Sequence, residues 1–518
     1  MKKFILIAVL SLLVIGLSAQ NNEHAMAKAV ETIILEGSDS RVVDEFVEEI
    51  YEKHCKTASL ATRIAKAYYM YSENPDTKER IFGRNEPDTA LKYVQRAVAL
   101  DPKYPDSYIL ASDILQYRGG EEGRKKAMEW LDRGVAANPT DASLYVASAK
   151  LLAYVDPVAA AAKLNLLKER DPNFDVDLEL GRLYYNIFDH GGTQEERQAF
   201  IEKQVDHYKN VDIEKMNAGD IGAYANALTF SDSHDIAKCF EVTDYGIKKF
   251  PDDFAIRQYH FYSLWGLNRW DEAIASAKRL FEMGDSTKIT QIHYYRYALC
   301  FKGANRYDEA IAEFEKMKQN PIVTDYYRNL ADQQETVVIQ SKVNKFASDG
   351  NYQQALNILK PNIEKYNSSG KQNDNLCLAH GDLYRTWAGK LEGADQEEKY
   401  LEADKIYAAA IPGSKDNKLV FCNRRYSVLI QLDKSAEKGL AVPAIKEMEA
   451  IAAVEAKEDP DVYKRLYGQF IYMRAYYVNT SNYAEAVNYA EKILDINPTD
   501  QGSLEVLRVF GNKVGKKR

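Results

Sequence analysis

The sequence has no CxxC pair, no HExxH, no G-x-x-x-x-G-K-[ST] loop and no G-x-S-x-G elbow. These absences remove the common zinc, dithiol-redox, nucleotide-phosphate and α/β-hydrolase readings. Tryptophan is scarce, with four in 518 residues. Cysteine is nearly as scarce: Cys55, Cys239, Cys300, Cys377 and Cys422 are odd in number and widely spaced. They sit beside apolar neighbours, as in "IAKCFEV" and "YALCFKG", and read as small core residues rather than a disulfide framework. The 14 prolines and 27 glycines form no long linker. Basic charge is not in excess, so the phosphate contacts of a nucleic-acid binder lack their cations.

Apolar runs are also missing beyond residue 17. The first stretch, "MKKFILIAVLSLLVIGLSAQ", places Lys2 and Lys3 before an apolar run from Phe4 to Leu17. That run is short for a bilayer span of about 20 residues and fits a signal-peptide core. Residues 1–19 are expected to be a signal peptide cleaved after Ala19. No cysteine follows the run before Cys55, so no lipoprotein signal is present. Cleavage would remove two lysines and no acids, moving the net charge from −9 to −11. An exported, periplasmic, non-lipidated protein is the expectation.

What the chain has is repetition. "NPTD" occurs at Asn138–Asp141 and again at Asn497–Asp500. In both places a proline stands twelve residues after an alanine: Pro139 after Ala127, Pro498 after Ala486. Pro102 follows Ala90 and Pro172 follows Ala160 at the same distance, and Pro251 follows Cys239. Proline ends a helix and the Asp after it caps the next. Apolar residues follow each small residue at i+4 and i+7, one face of a helix. Ala90, Ala127 and Ala160 are spaced by 37 and 33, Cys239, Ala273 and Ala310 by 34 and 37. Ala355, Ala403, Ala444 and Ala486 continue the series at longer steps of 45, 48, 41 and 42.

Two further signatures join this one. "LELGRLYY" has an L-G-x-x-Y arrangement, Gly381 and Tyr384 keep its Gly and Tyr, and "NRWDEAI", "NRYDEAI", "GNYQQAL" and "SNYAEAV" open the second helices. At these residues the chain resembles the tetratricopeptide repeat (TPR) family, over roughly 58–498. The resemblance implies an all-α, right-handed superhelical solenoid of about eleven helical hairpins with terminal caps. The organisation read is a helical N-terminal cap at 20–57, repeats at 58–190, a degenerate hairpin or bend at 191–235, repeats at 236–498 and a closing helix with basic tail at 499–518. A continuous superhelix with a bend near 191–235 is the favoured arrangement. Each repeat buries its face only against neighbours, so the ends need caps.

Chemistry is thin along the chain. "SDSHD" gathers Asp232, His234 and Asp235, and reads as a helix-capping loop. His380 falls on a core-facing position and reads as packed. "SSGK" and "SAEK" match S-x-x-K without the companion motifs. No catalytic, cofactor-binding or metal-binding residue is assigned. In this family the inner groove is lined by the first helix of each hairpin. The resemblance carries that groove onto Tyr108, Tyr145, Arg182, Tyr185, Tyr262, Trp265, Lys302, Asp382 and Arg385. Aromatic rings and guanidinium forks suit a peptide or partner helix. The expected function is a non-catalytic protein-interaction scaffold of the bacterial envelope, with a protein or peptide partner and no nucleic acid. The alternatives are a periplasmic small-ligand or glycan-binding protein and a cryptic hydrolase.

Overall fold

Each "NPTD" is built the same way twice. The Asn138 N–H donates to Gly134 O at 2.9 Å and the Asn497 N–H to Ile493 O at 2.7 Å, closing the helix before. The Asp141 and Asp500 N–H groups then donate to the Asn carbonyls at 3.2 and 3.1 Å. Finally the Asp141 carboxylate accepts from Ser143 N and Leu144 N, and Asp500 from Ser503 N at 2.7 Å. A stop, a turn and a cap fit within four residues. "FPDD" repeats the scheme through Phe250 and Asp253.

The turn inside a hairpin has its own construction. Asn268, Asn305 and Ser481 take φ of 58°, 58° and 57°, and Gly350 takes 78°. Each is followed by a residue whose N–H reaches back to the helix end: Arg269 to Leu264 O, Arg306 to Phe301 O, Asn351 to Phe346 O and Asn482 to Tyr477 O, at 2.8–2.9 Å. This is a left-handed C-terminal cap, which Gly and Asn adopt at least cost.

The computed structural model describes residues 23–36, 40–73, 80–82, 84–117, 119–189, 192–284, 287–456 and 459–514. The expected signal peptide lies outside them. The chain divides into two units, Met1–Arg269 and Trp270–Arg518. In the first, α1 (Glu23–Glu36) and α2 (Ser40–His54) form the N-terminal cap. Five hairpins follow: α3 (Ala58–Tyr69) with α4 (Pro87–Leu100), α5 (Pro105–Tyr117) with α6 (Gly120–Ala137), α7 (Ala142–Leu152) with α8 (Pro157–Arg170), α9 (Val176–Asp189) with α10 (Gln194–Tyr208), and α11 (Ala218–Phe230) with α12 (Ile236–Lys249). Then comes α13 (Phe254–Gly266). The second unit opens on α14 (Trp270–Glu282). Five more hairpins pair α15 (Gln291–Gly303) with α16 (Tyr307–Gln319), α17 (Asp325–Ser348) with α18 (Tyr352–Ser368), α19 (Asp374–Ala388) with α20 (Gly393–Ala410), α21 (Lys418–Leu432) with α22 (Val442–Glu455), and α23 (Tyr467–Asn479) with α24 (Tyr483–Ile496). The closing helix is α25 (Gln501–Phe510).

This is a helical-repeat fold, and one feature departs from the sequence reading. A two-stranded antiparallel ribbon, β1 (Met70–Glu73) and β2 (Arg80–Phe82), stands between α3 and α4. The division between units falls inside "NRWDEAI", and 192–235 folds within the first unit as α10, a short turn and α11. Thr193 and Glu196 form a reciprocal capping box that starts α10. The long steps also have a cause. Helix α17 has 24 residues where α15 has 13, which lengthens the step from Ala310 to Ala355.

The repeat alanines are the core. Ala90, Ala127, Ala160, Ala273, Ala310, Ala355, Ala403, Ala444 and Ala486 are all fully buried, and Cys239 with them. A small side chain there lets two helices approach closely. Glycine does the same from the facing helix. A Cβ on Gly181 would stand 2.7 Å from the Tyr208 ring, and one on Gly381 would collide with Tyr407.

Candidate functional site

The first helices of successive hairpins carry two clefts, one in each unit. In the first unit a cleft of about 570 Å³ lies along α7, α9 and α11, lined by Lys150, Tyr154, Arg182, Tyr185, Asn186 and Asp220 among others. In the second unit a cleft of about 830 Å³ lies along α17, α19 and α21. Its floor is apolar, with Val343, Ala347, Leu378 and Leu383, and its polar groups include Gln340, Asn344, Asn375, Asp382, Lys390 and Arg424.

The expected groove residues separate into two groups. Arg182, Tyr185 and Asp382 line the clefts. Arg182 is held tightly: Nε and Nη2 donate to the two oxygens of Asp220 at 2.7 and 2.6 Å, and Nη1 to Glu179 at 2.5 Å. Asp220 is buried, and its fork pairing holds the Arg182 guanidinium well above its ordinary pKa. Asp382 accepts from the Tyr407 hydroxyl at 2.8 Å, and Arg385 Nη2 lies 3.2 Å from the same carboxylate. Lys302 is half-buried and donates to Gln334 at 2.8 Å, and burial lowers its pKa. Trp265 is half-buried.

Tyr108, Tyr145 and Tyr262 are corrected by the structure: all three are buried, at 3, 1 and 8% exposure. Their rings fill space between helices and offer no surface to a partner. Tyr108 donates to Pro102 O at 2.8 Å and Tyr145 to Pro139 O at 2.9 Å. Both stand six residues after the proline, so the side chain reaches back over its own turn and satisfies the proline carbonyl. Arg257 donates to Pro251 O from the same offset. Tyr262 packs against Tyr259 and Phe261. Missed were Lys150, Tyr154, Asn186, Gln340, Asn344, Asn375, Lys390 and Arg424. The signal was available in part: all but Tyr154 and Lys390 lie on first helices, where a polar residue facing the neighbouring hairpin marks the inner face.

The histidine and cysteine readings agree with the geometry. His380 packs against Tyr384, and burial drops its pKa to about 4. His293 is buried, its pKa also falls to about 4, and its Nδ1 accepts from Thr290 N. Asp235 of "SDSHD" caps α12 through Lys238 N at 2.9 Å. All five cysteines are buried and free. Burial raises their thiols to about 11 for Cys55, Cys239 and Cys377 and about 12 for Cys300 and Cys422. Among the described residues no group of three or more His, Cys, Asp or Glu could hold a metal ion, and no helix is long and apolar enough to cross a membrane.

The hairpins define the class: this is a helical-repeat protein with a tetratricopeptide-type fold. No family model and no curated protein matches the chain. Among solved structures it is similar to the C-terminal part of a TPR repeat-containing protein from Cytophaga hutchinsonii, with 16% identity and TM-score 0.34 over 55% of this chain and 99% of that one. It is similar to the TPR domain of P58(IPK), with 12% identity and TM-score 0.23 over 84% of this chain and 96% of that one. A tetratricopeptide repeat protein from Parabacteroides merdae ATCC 43184 shows 12% identity and TM-score 0.25 over 49% of this chain and 93% of that one.

Proposed function

We propose that the chain is a non-catalytic protein-interaction scaffold of the bacterial cell envelope. It is exported through residues 1–19, stays in the periplasm without a lipid anchor, and binds a peptide or partner helix along the first-helix faces. The observation that carries this reading is the pair of clefts, each crossing three successive hairpins. Both combine an apolar floor with spaced polar groups, which is how a surface reads an extended partner. Export is supported by the charged start and short apolar run of the first 20 residues.

The test is in-cell crosslinking of the tagged full-length protein, followed by fractionation and mass spectrometry. The expected result is a recurrent envelope partner. Its yield should fall about tenfold when Tyr154 and Tyr185 become Ala, or when Lys390 and Arg424 become Gln. A protein that captures no partner, or one indifferent to both pairs, would overturn the scaffold reading.

A further inference from the structure

Tyr208 on α10 and Tyr407 on α20 hold the same place in their hairpins, each ring packed against a glycine of the first helix, Gly181 or Gly381. The residue after that glycine decides what the hydroxyl meets. After Gly381 stands Asp382, which accepts from the Tyr407 hydroxyl at 2.8 Å. After Gly181 stands Arg182, whose guanidinium can only donate. The carboxylate that Arg182 brings with it is engaged on both oxygens: Asp220 takes Arg182 Nε and Nη2 at 2.7 and 2.6 Å and Asn217 N at 3.0 Å. The Tyr208 side chain is 1% exposed, yet its hydroxyl makes no hydrogen bond among the described residues. Tyr208 lines the first-unit cleft, and the hydroxyl is not shut off from it. Burial and the Asp220 charge push its pKa well above the ordinary tyrosine value, so it stays a neutral donor.

The rest of the cleft matches this hydroxyl. Glu179 gives Oε1 to Arg182 Nη1 at 2.5 Å, and its Oε2 is unclaimed among the described residues. Lys150 and Arg182 cancel the charge of Glu179 and Asp220. Tyr154 and Tyr185 add flat rings, and the cleft of about 570 Å³ has the size of a small-molecule pocket. We propose that the cleft along α7, α9 and α11 binds a neutral sugar of one or two rings, whose hydroxyls pair with the Tyr208 hydroxyl and Glu179 Oε2. Cancelled charge leaves no field to favour an ion. A sugar hydroxyl both donates and accepts, so it answers a free phenol and a free carboxylate oxygen alike. The C–H face of the sugar ring suits a tyrosine ring that keeps its polar tip in water. Packing against Gly181 fixes the Tyr208 ring beforehand, so binding costs it little side-chain freedom. The sugar site stands apart from the scaffold reading and does not rest on it.

The probes are maltose, cellobiose, lactose and N,N′-diacetylchitobiose, titrated into the full-length chain by isothermal calorimetry, with glucuronic acid and glucosamine as charged controls. At least one neutral disaccharide is expected to bind, about tenfold or more tightly than either control, with an affinity that salt leaves unchanged. Tyr208→Phe keeps the ring against Gly181 and breaks no hydrogen bond of the protein. Its Tm should match the parent while its sugar affinity falls about tenfold. Tyr407→Phe loses the bond to Asp382, so its Tm should fall and its sugar affinity should hold. Tyr154→Ala removes an exposed ring and should weaken binding severalfold. No binding of any of the four sugars, unchanged binding by Tyr208→Phe, or a charged control that outbinds all four would each overturn the proposal. A lowered Tm in Tyr208→Phe would overturn it too, since the hydroxyl would then be engaged within the protein.

Discussion

A tyrosine on a first helix has two possible duties, and the structure separates them. Tyr108 and Tyr145 are buried and donate to the proline carbonyl six residues upstream. They lock the joint between hairpins. Tyr185, on α9, lines a cleft instead. Removing only the hydroxyl tests the first duty. Tyr108→Phe and Tyr145→Phe should each cost about 1 kcal/mol, because a part-buried hydrogen bond loses its donor. Calorimetry should show a drop of about 2–4 °C in Tm, and partner capture should be unaffected. These tyrosines were read from sequence as groove residues because residue type and helix position are the same for both duties. What differs is the offset from the proline, and that offset is legible once the carbonyl's need for a donor is recognised.

Among the elements, α10 is the exception. Its Tyr208 faces Gly181 as Tyr407 faces Gly381, which fixes the register between the two helices of each hairpin. Four residues before Tyr407 stands Ala403; four before Tyr208 stands Gln204. Gln204 is fully buried where the other hairpins carry Ala or Cys, and neither its amide nitrogen nor its amide oxygen has a partner. A buried amide without partners is a penalty that an apolar side chain would not carry. Gln204→Leu keeps the volume and removes the polar atoms. It should raise stability in urea unfolding by on the order of 1–2 kcal/mol. A loss instead would mean that the amide holds an ordered water. The degenerate hairpin was visible in the sequence as a gap in the alanine series. Its Gln was not, because nothing local marks which glutamine turns inward.

At the scale of the whole molecule, acid sensitivity follows from two neutral histidines. Burial lowers His293 and His380 from 6.5 to about 4. The unfolded chain binds protons first as pH falls, so stability is full above about 6.5, declines between 6.5 and 4, and falls no further from these groups below that. Each histidine contributes on the order of 1–3 kcal/mol to this loss. His293→Gln places at the third helical position a side chain that can accept from Thr290 N without titrating. Thermal melts across that window should show a flatter pH dependence for His293→Gln and His380→Gln than for the parent. Parallel curves would show that the two sites are open to solvent.

The sequence alone determined the repeat: the hairpin boundaries, the buried alanines and cysteines, the caps at Asp141 and Asp500, and the closing helix. Those features are written in neighbouring residues, because a proline, a left-handed Asn or a small residue at i, i+4 and i+7 acts within one or two turns. Tertiary structure decided the rest. Whether Arg182 is occupied depends on Asp220, 38 residues away, and whether Arg385 and Arg424 are depends on an Asp382 already claimed by Tyr407. The ribbon of β1 and β2 likewise arises from a pairing between segments. A local signal is read from adjacent letters, whereas a side chain's freedom to bind is fixed by which distant neighbour has already taken its hydrogen bonds.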